Sequence, residues 1–191
     1  MTTARARHQP QLVDFTAEQL RARLDEALAL YVTAMGYPPA TMRQRAPMWL
    51  SHMFRPGWRC VVAIDQEGAL AAVSYGYLGA PGQWWHEQVQ RGLTVIRGPR
   101  TVQEWMTHYF ELTELHVRPD QQGRGLGEAV LRRLLDGPDG PPAPRVLLST
   151  PEGPTRAWRL YRRVGFVDLL RHYLFTGDPR PFAVLGRELP L

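Results

Sequence analysis

Residues 116 to 130, HVRPDQQGRGLGEAV, confine the fold more tightly than any other stretch of the chain. An extended run stops at Pro119, and a knot of Gln, Gly and Arg then opens straight into a helical pattern. Leu126, Val130, Leu131, Leu134 and Leu135 recur there at helix spacing. Gly123, Gly125 and Gly127 occupy alternate positions, and each loses more freedom on folding than any other residue would. The stretch is therefore a strand–loop–helix unit. Its loop either turns tightly through positive φ or lets something approach bare backbone. The first N–H groups of a helix have no partner within it, and together with the helix dipole they attract anions, phosphate above all. On that account Gln122, Gly123, Arg124, Gly125, Leu126, Gly127 and Glu128 read as a pyrophosphate cradle, with Arg124 adding charge or covering the opening.

Of two familiar phosphate loops, one is excluded and the other fits poorly. The P-loop needs Gly-Lys-Ser/Thr, and the chain has no lysine at all. The dinucleotide fingerprint needs G-x-G-x-x-G early in the chain, whereas G-x-G-x-G stands late here.

The rest of the chain supplies the frame. Residues 17 to 35 repeat apolar positions at helical spacing, with Thr16 as N-cap and Gly36 as stop, and a second helix is expected over 40 to 53. WRCVVAID and ALAAVSYGYL read as a hairpin turning at Gln66-Glu67-Gly68. Residues 81 to 92 form an aromatic segment of undetermined state, and 102 to 117 a long extended stretch. After the helix at 125 to 135 come a Gly/Pro surface loop, a short buried strand RVLLST, a helix over PTRAWRLYRRV with Pro154 near its first turn, and two strands at about 167 to 175 and 181 to 188. This order predicts a mixed α/β (α+β) sheet in one domain over 11 to 191, preceded by a flexible N-terminus at 1 to 10.

The net charge of +5 raises the question of nucleic acid. All 23 basic residues are arginine, asparagine is absent and isoleucine occurs only twice, which is the signature of GC-rich coding in a bacterial genome. The arginines are also dispersed rather than clustered, so no nucleic-acid partner is expected. A basic module remains only as a minor alternative. No run is long and apolar enough for a membrane span, no signal peptide is evident, and the single Cys60 excludes an internal disulfide. A cytoplasmic protein is expected. His86, His108 and His116 show no ligand spacing, and no metal is expected.

Gln122-x-x-Gly125-x-Gly127, preceded by Val117-x-Pro119, resembles the Q/R-x-x-G-x-G/A motif of the GNAT superfamily of acyl-CoA-dependent N-acetyltransferases. LYRRVGF, Leu160 to Phe166, is similar to the L-Y-x-x-x-G-F segment of the same family. The resemblance implies a mostly antiparallel central sheet flanked by helices, with a splayed strand pair that holds acetyl-CoA as co-substrate. It implies backbone pairing of pantetheine near Leu115, His116 and Val117, one N–H there polarising the thioester. It implies Tyr161 as general acid toward the departing sulfur. Tyr161 also borders an apolar stripe, so a plain core tyrosine is the competing reading. For the base the resemblance points to a strand glutamate, Glu111 first and Glu114 second. Strict alternation would set these two on opposite faces, Glu114 with His116, unless a bulge intervenes. Many members carry an asparagine seven residues before the tyrosine, where this chain has Pro154. The acceptor is expected to be an amine on a small molecule or a protein N-terminus. The early helices, the segment around Trp84-Trp85-His86-Glu87 and the loop between the last strands would hold it. Trp49, Trp84, Trp85, Trp105 and Tyr109 are candidates to box the amine, or plain core residues. A homodimer is common in the family. A non-catalytic acyl-CoA sensor of the same fold is the alternative from another class.

Overall fold

The computed structural model describes residues 9–137 and 140–191. The expected flexible segment 1–10 lies outside the described residues except for its last two positions, as do two residues of the Gly/Pro loop.

Seven strands form one sheet in the order β1-β2-β3-β4-β5-β7-β6. β1 (Gln11–Phe15) is the edge that the sequence pattern did not reveal. Its five residues pair antiparallel with β2 (Arg59–Ile64), from Gln11 opposite Ile64 to Phe15 opposite Cys60. β2 and β3 (Leu70–Leu78) form the expected hairpin. Its turn is pinned by Asp65, whose Oδ1 accepts from the N–H groups of Glu67 and Ala69, an Asx arrangement that substitutes for backbone pairing. β3 pairs antiparallel with β4 (Phe110–Val117), and β5 (Arg145–Pro151) pairs antiparallel with β7 (Phe182–Glu188), which carries β6 (Val167–Tyr173) at the far edge. Among these strands only β4 and β5 pair in parallel.

Alternation along the strands feeds two faces. On one face, α6 (Leu126–Asp136) and α7 (Arg156–Arg163) bury Val130, Leu131, Leu134, Leu160 and Val164 against Val61, Ala63, Phe110, Val146, Leu148 and Leu185. On the other, α1 (Ala17–Ala22), α2 (Leu24–Met35) and α3 (Thr41–His52) cover β2 and β3, packing Leu20, Leu28, Tyr31 and Trp49 on Cys60, Val62, Val73 and Tyr75. Next to them α4 (Trp84–Ile96) and α5 (Pro99–Met106) place Val89, Leu93 and Met106 over Leu147 and Val184.

Three expectations change. The helix over 17 to 35 is two helices, broken at Arg23, which caps the end of α1 and the start of α2. The aromatic segment at 81 to 92 is the first half of α4. The long extended stretch at 102 to 117 is a strand only from Phe110 onward. Before it Pro99 opens α5 at its first turn, the position where a missing N–H costs nothing. The β-formers Val102, Trp105 and Tyr109 suggest a strand by type, but they pack at helical and loop positions instead.

Candidate active site at a splayed strand pair

β4 pairs with β5 only at Phe110 opposite Val146 and Glu111 opposite Leu147. Beyond these two pairs the strands part. A cavity of about 410 Å³ opens between them, lined from Leu112 to His116 on β4 and from Leu148 to Pro151 on β5. The splay expected from the family resemblance is present.

One extra residue shapes the β4 wall. Tyr75 pairs with Glu114 and Gly76 with Leu112, so Thr113 is left without a partner and the strand bulges. Gly76 makes the bulge possible. A Cβ there would lie 2.2 Å from the Glu111 carbonyl oxygen and 2.5 Å from the Phe110 ring. The extra residue also overturns strict alternation. Glu111 pairs with Tyr77, Glu114 with Tyr75 and His116 with Val73, so all three lie on the face covered by α2 and α3. Phe110, Leu112, Leu115 and Val117 take the opposite face, against α6 and α7.

The glycine loop follows β4 and leads into α6. Gly123 and Gly125 have φ of 77° and 80°, so the turn itself demands glycine, and a Cβ at either would meet nothing within 4 Å. Tight turn and bare, open backbone thus coincide. Gly127 differs, because a Cβ there would make ordinary contacts with Val117 and Leu160 at 3.5 and 3.6 Å. Gly125 is the N-cap of α6 and offers no side chain to its first N–H groups, which leaves them open to an anion. Gln122 braces the loop rather than facing outward. Its Nε2 donates to the Val117 carbonyl at 2.9 Å, and its Oε1 accepts from Arg156 at 2.7 Å. Arg124 is exposed and donates to Gln121 at 3.3 Å. The Glu128 carboxylate is held low by Arg163 first and by Arg132, and ties α6 to α7. Leu126 packs on the core. α7 is capped by Thr155, whose Oγ1 accepts from Trp158 at 3.1 Å, and Pro154 stands just before that cap.

Two of the ionisable candidates, Tyr161 and Glu114, line the gap. Tyr161 reaches the cavity from α7, buried to 6% exposure, and its ring packs on Phe166 at 5.4 Å. Burial, with the Glu114 charge acting in the same direction, pushes its hydroxyl well above the ordinary tyrosine range, so it stays protonated. Glu114 lines the cavity and lies 2.5 Å from His116 Nε2. Glu111 sits deeper, 3% exposed. It accepts from the Tyr77 hydroxyl at 3.1 Å through one oxygen and has no partner on the other among the described residues. Burial pushes its carboxyl up to about 7, Glu114 adding to the rise while Tyr77 and Arg55 oppose it.

The far end of the cavity comes from separated segments: Tyr31, Met35 and Tyr37 from α2 and its exit, Arg45 from α3, Trp84 and Trp85 from α4, and Phe175 to Phe182 around the β6–β7 loop. Trp84 and Trp85 are on its wall, whereas Trp49 and Tyr109 are fully buried and Trp105 packs in the core beneath α5. His86 is likewise internal, its Nδ1 2.9 Å from the Tyr109 hydroxyl. Sequence reasoning did not single out Tyr31, Tyr37, Arg45 or Arg180. Tyr31 lies within the helical repeat of residues 17 to 35, and the two arginines are among many in the chain.

A sequence model of the Acetyltransferase (GNAT) family matches residues 24–166. The chain is 49% identical, over an alignment of 205 residues, to the GCN5-like protein acetyltransferase Rv2170 of Mycobacterium tuberculosis, covering 94% of this chain and 98% of that one. Among solved structures it resembles the ribosomal-protein-S18-alanine N-acetyltransferase of Escherichia coli, with a TM-score of 0.60 at 17% identity over 95% and 96% of the two chains. An acetyltransferase of Thermus thermophilus gives 0.60 at 19% identity over 96% and 99%. The NatC complex bound to Gag peptide and CoA gives 0.58 at 13% over 94% and 99%. At those identities the structures speak for the fold, and the family match and the mycobacterial relative for kinship. The protein is a member of the GNAT acetyltransferase family, an N-acetyltransferase enzyme.

Proposed function

We propose that the protein transfers an acetyl group from acetyl-CoA to a primary amine by direct attack, within the gap between β4 and β5. One observation carries the reading. A cavity lies between the parted strands with an unpaired strand edge, a protonated tyrosine and a carboxylate on its wall, and an uncapped helix N-terminus follows directly in the chain from that strand.

Acetyl-CoA, the co-substrate of the family, supplies the acyl group as a thioester. The N–H groups at Gly125, Leu126, Gly127 and Glu128, with Gly123 leaving space above them, are placed to hold its pyrophosphate, and Arg124 adds a cation. The unpaired edge at Leu115, His116 and Val117 offers backbone groups to pantetheine, and one N–H there polarises the thioester carbonyl. Tyr161 keeps its proton at neutral pH and gives it to the leaving sulfur. On the acceptor side Glu114 is the carboxylate on the cavity wall, with His116 to take up or relay the proton drawn from the ammonium. Glu111 stands behind them as a reservoir whose affinity for protons is matched to neutral pH. The order in which the sequence ranks the two carboxylates is thereby reversed at the wall: Glu114 first, Glu111 second.

Calorimetric titration of acetyl-CoA tests the cofactor half, with the Gly125→Glu, Gly127→Glu double variant beside the wild type. Micromolar binding lost in the variant supports it, and no binding at millimolar acetyl-CoA sinks it. Thiol release over a panel of primary amines, with Tyr161→Phe as control, tests the transfer half. Acetyl-CoA that binds but that no amine discharges would favour the sensor reading instead.

A further inference from the structure

Glu114, His116 and Tyr161 account for the reactive end of the cavity but leave a cation at the other end without an ion pair of its own among the described residues. Arg45 is half-buried on the cavity wall, its guanidinium carbon 6.0 Å from the Tyr31 ring centroid. Its one hydrogen bond runs to the Met48 sulfur at 3.7 Å, and it makes no ion pair among the described residues. Arg180, across the cavity on the β6–β7 loop, is already engaged. It lies 2.6 Å from Asp178 and donates to the Tyr37 hydroxyl at 3.0 Å. Arg180 foremost holds the Asp178 carboxyl low, and Arg45 contributes to the same shift. Two guanidiniums therefore share one carboxylate, and this end carries surplus positive charge.

The reactive end carries the opposite sign, in Glu114. The Tyr31 ring separates the two, 4.9 Å from the His116 ring on one side and under Arg45 on the other. Its hydroxyl registers both: burial pushes it up to about 12, with Glu114 raising and Arg45 lowering it. The lining also includes the apolar side chains of Met35, Trp84 and Phe175. A partly desolvated cation attracts an anion more strongly than one in bulk water does.

We propose that Arg45 receives a carboxylate carried by the acceptor, so that the substrate class is an amino carboxylate with an apolar spacer between its amine and its acid. The inference rests on the transferase reading above. The amine points to Glu114 and the open strand edge, the methylene body lies on Met35 and Trp84, and the acid pairs with Arg45. Arg45 acts on binding and orientation, so its effect falls on KM more than on kcat.

The test uses ω-amino carboxylates of increasing length against alkylamines of the same length, with thiol release as the readout. The wild type prefers the carboxylates by about tenfold or more in kcat/KM, the preference lying in KM. Arg45→Ala brings the ratio of the two series close to unity, and Arg45→Glu inverts it in favour of the alkylamines. Equal rates for both series in the wild type overturn the proposal. Quenching of tryptophan fluorescence by the amino carboxylates reads binding without turnover. Saturable quenching that Arg45→Ala loses supports the proposal, and its absence in the wild type overturns it.

Calorimetry with acetyl-CoA on the same samples keeps the two readings apart. A protein that binds acetyl-CoA yet ignores the carboxylate loses only this inference, whereas one that does not bind acetyl-CoA loses the transferase reading and this with it. A lysyl peptide with a neighbouring glutamate, matched to one with glutamine, identifies the source of the acid. Preference for the glutamate peptide places the carboxylate on a polypeptide, and preference confined to free amino carboxylates places it on a small molecule.

Discussion

Beside the cavity, a single run of chain from Phe110 to Asp136 supplies strand edge, turn and helix N-terminus, and what it presents is backbone. At the end beneath the β6–β7 loop, four separated segments meet, and what they present is side chains. Arg180 and Tyr37, which bridge there, are 143 positions apart. A backbone site depends on conformation and tolerates most changes of side chain that respect it. A side-chain site can be rewritten residue by residue while the sheet beneath stays the same. The first arrangement suits a ligand common to a whole family, the second a ligand particular to one member.

The widest break in that comparison would come from the glycine loop. Placing carboxylates at positions 125 and 127 strains the turn at one and sets negative charge against the helix N-terminus at both. That charge competes with the phosphates for the same N–H groups. Calorimetry should then show acetyl-CoA affinity lower by about 100-fold or more, the equivalent of about 3 kcal/mol. Retained affinity would mean that side chains elsewhere hold the ligand. Next in size, Tyr161→Phe should lower kcat by about 100-fold while the acetyl-CoA dissociation constant stays within about twofold. If both move together, the tyrosine belongs to the binding surface.

Glu111 sharpens the comparison through stability. Its carboxyl lies near 7 in the fold against an ordinary value of 4.5. The folded state therefore binds more protons than the unfolded state between those values. The stabilisation this group gives is complete below about 4.5 and is lost as pH rises through about 7. Glu111→Gln should flatten that decline, gaining on the wild type by several degrees in melting temperature at pH 8 relative to pH 5, on the order of 5 °C. Parallel melting curves would place the carboxyl in contact with water. The smallest effect belongs to the latch. Tyr37→Phe removes the acceptor of one exposed Arg180 hydrogen bond and should raise the acceptor KM by about two- to threefold, with acetyl-CoA affinity as the internal control.

What the sequence disclosed follows the same division. Gln122 to Glu128 and Leu160 to Phe166 are contiguous, their geometry is set by neighbours one to four positions away, and they could be read directly. The break at Arg23 and the helix at Pro99 were local too. They were lost because helical periodicity ran through the first, and β-forming residues masked the second. The far wall was illegible for a different reason. Nothing in the local context of Arg45 distinguishes it from the other arginines, and only the fold brings the Asp178–Arg180 pair of the β6–β7 loop to the same cavity. The shared face of Glu111 and Glu114 was hidden by a single unpaired residue, which a reading by alternation cannot count.

That residue makes the chemistry of β4 a matter of phase. Thr113 contributes little by its own contacts, a long hydrogen bond to the Glu111 carbonyl at 3.4 Å, but it resets the strand by one position. Excising it would yield a more regular sheet, its ladder continuous with β3 and its carboxylates out of step. Either Glu111 would turn into the core beneath α6 and α7, or Glu114 and His116 would turn there in its place. A more orderly strand would part these groups, because the defect is what sets two acids and a histidine on the same side of the sheet.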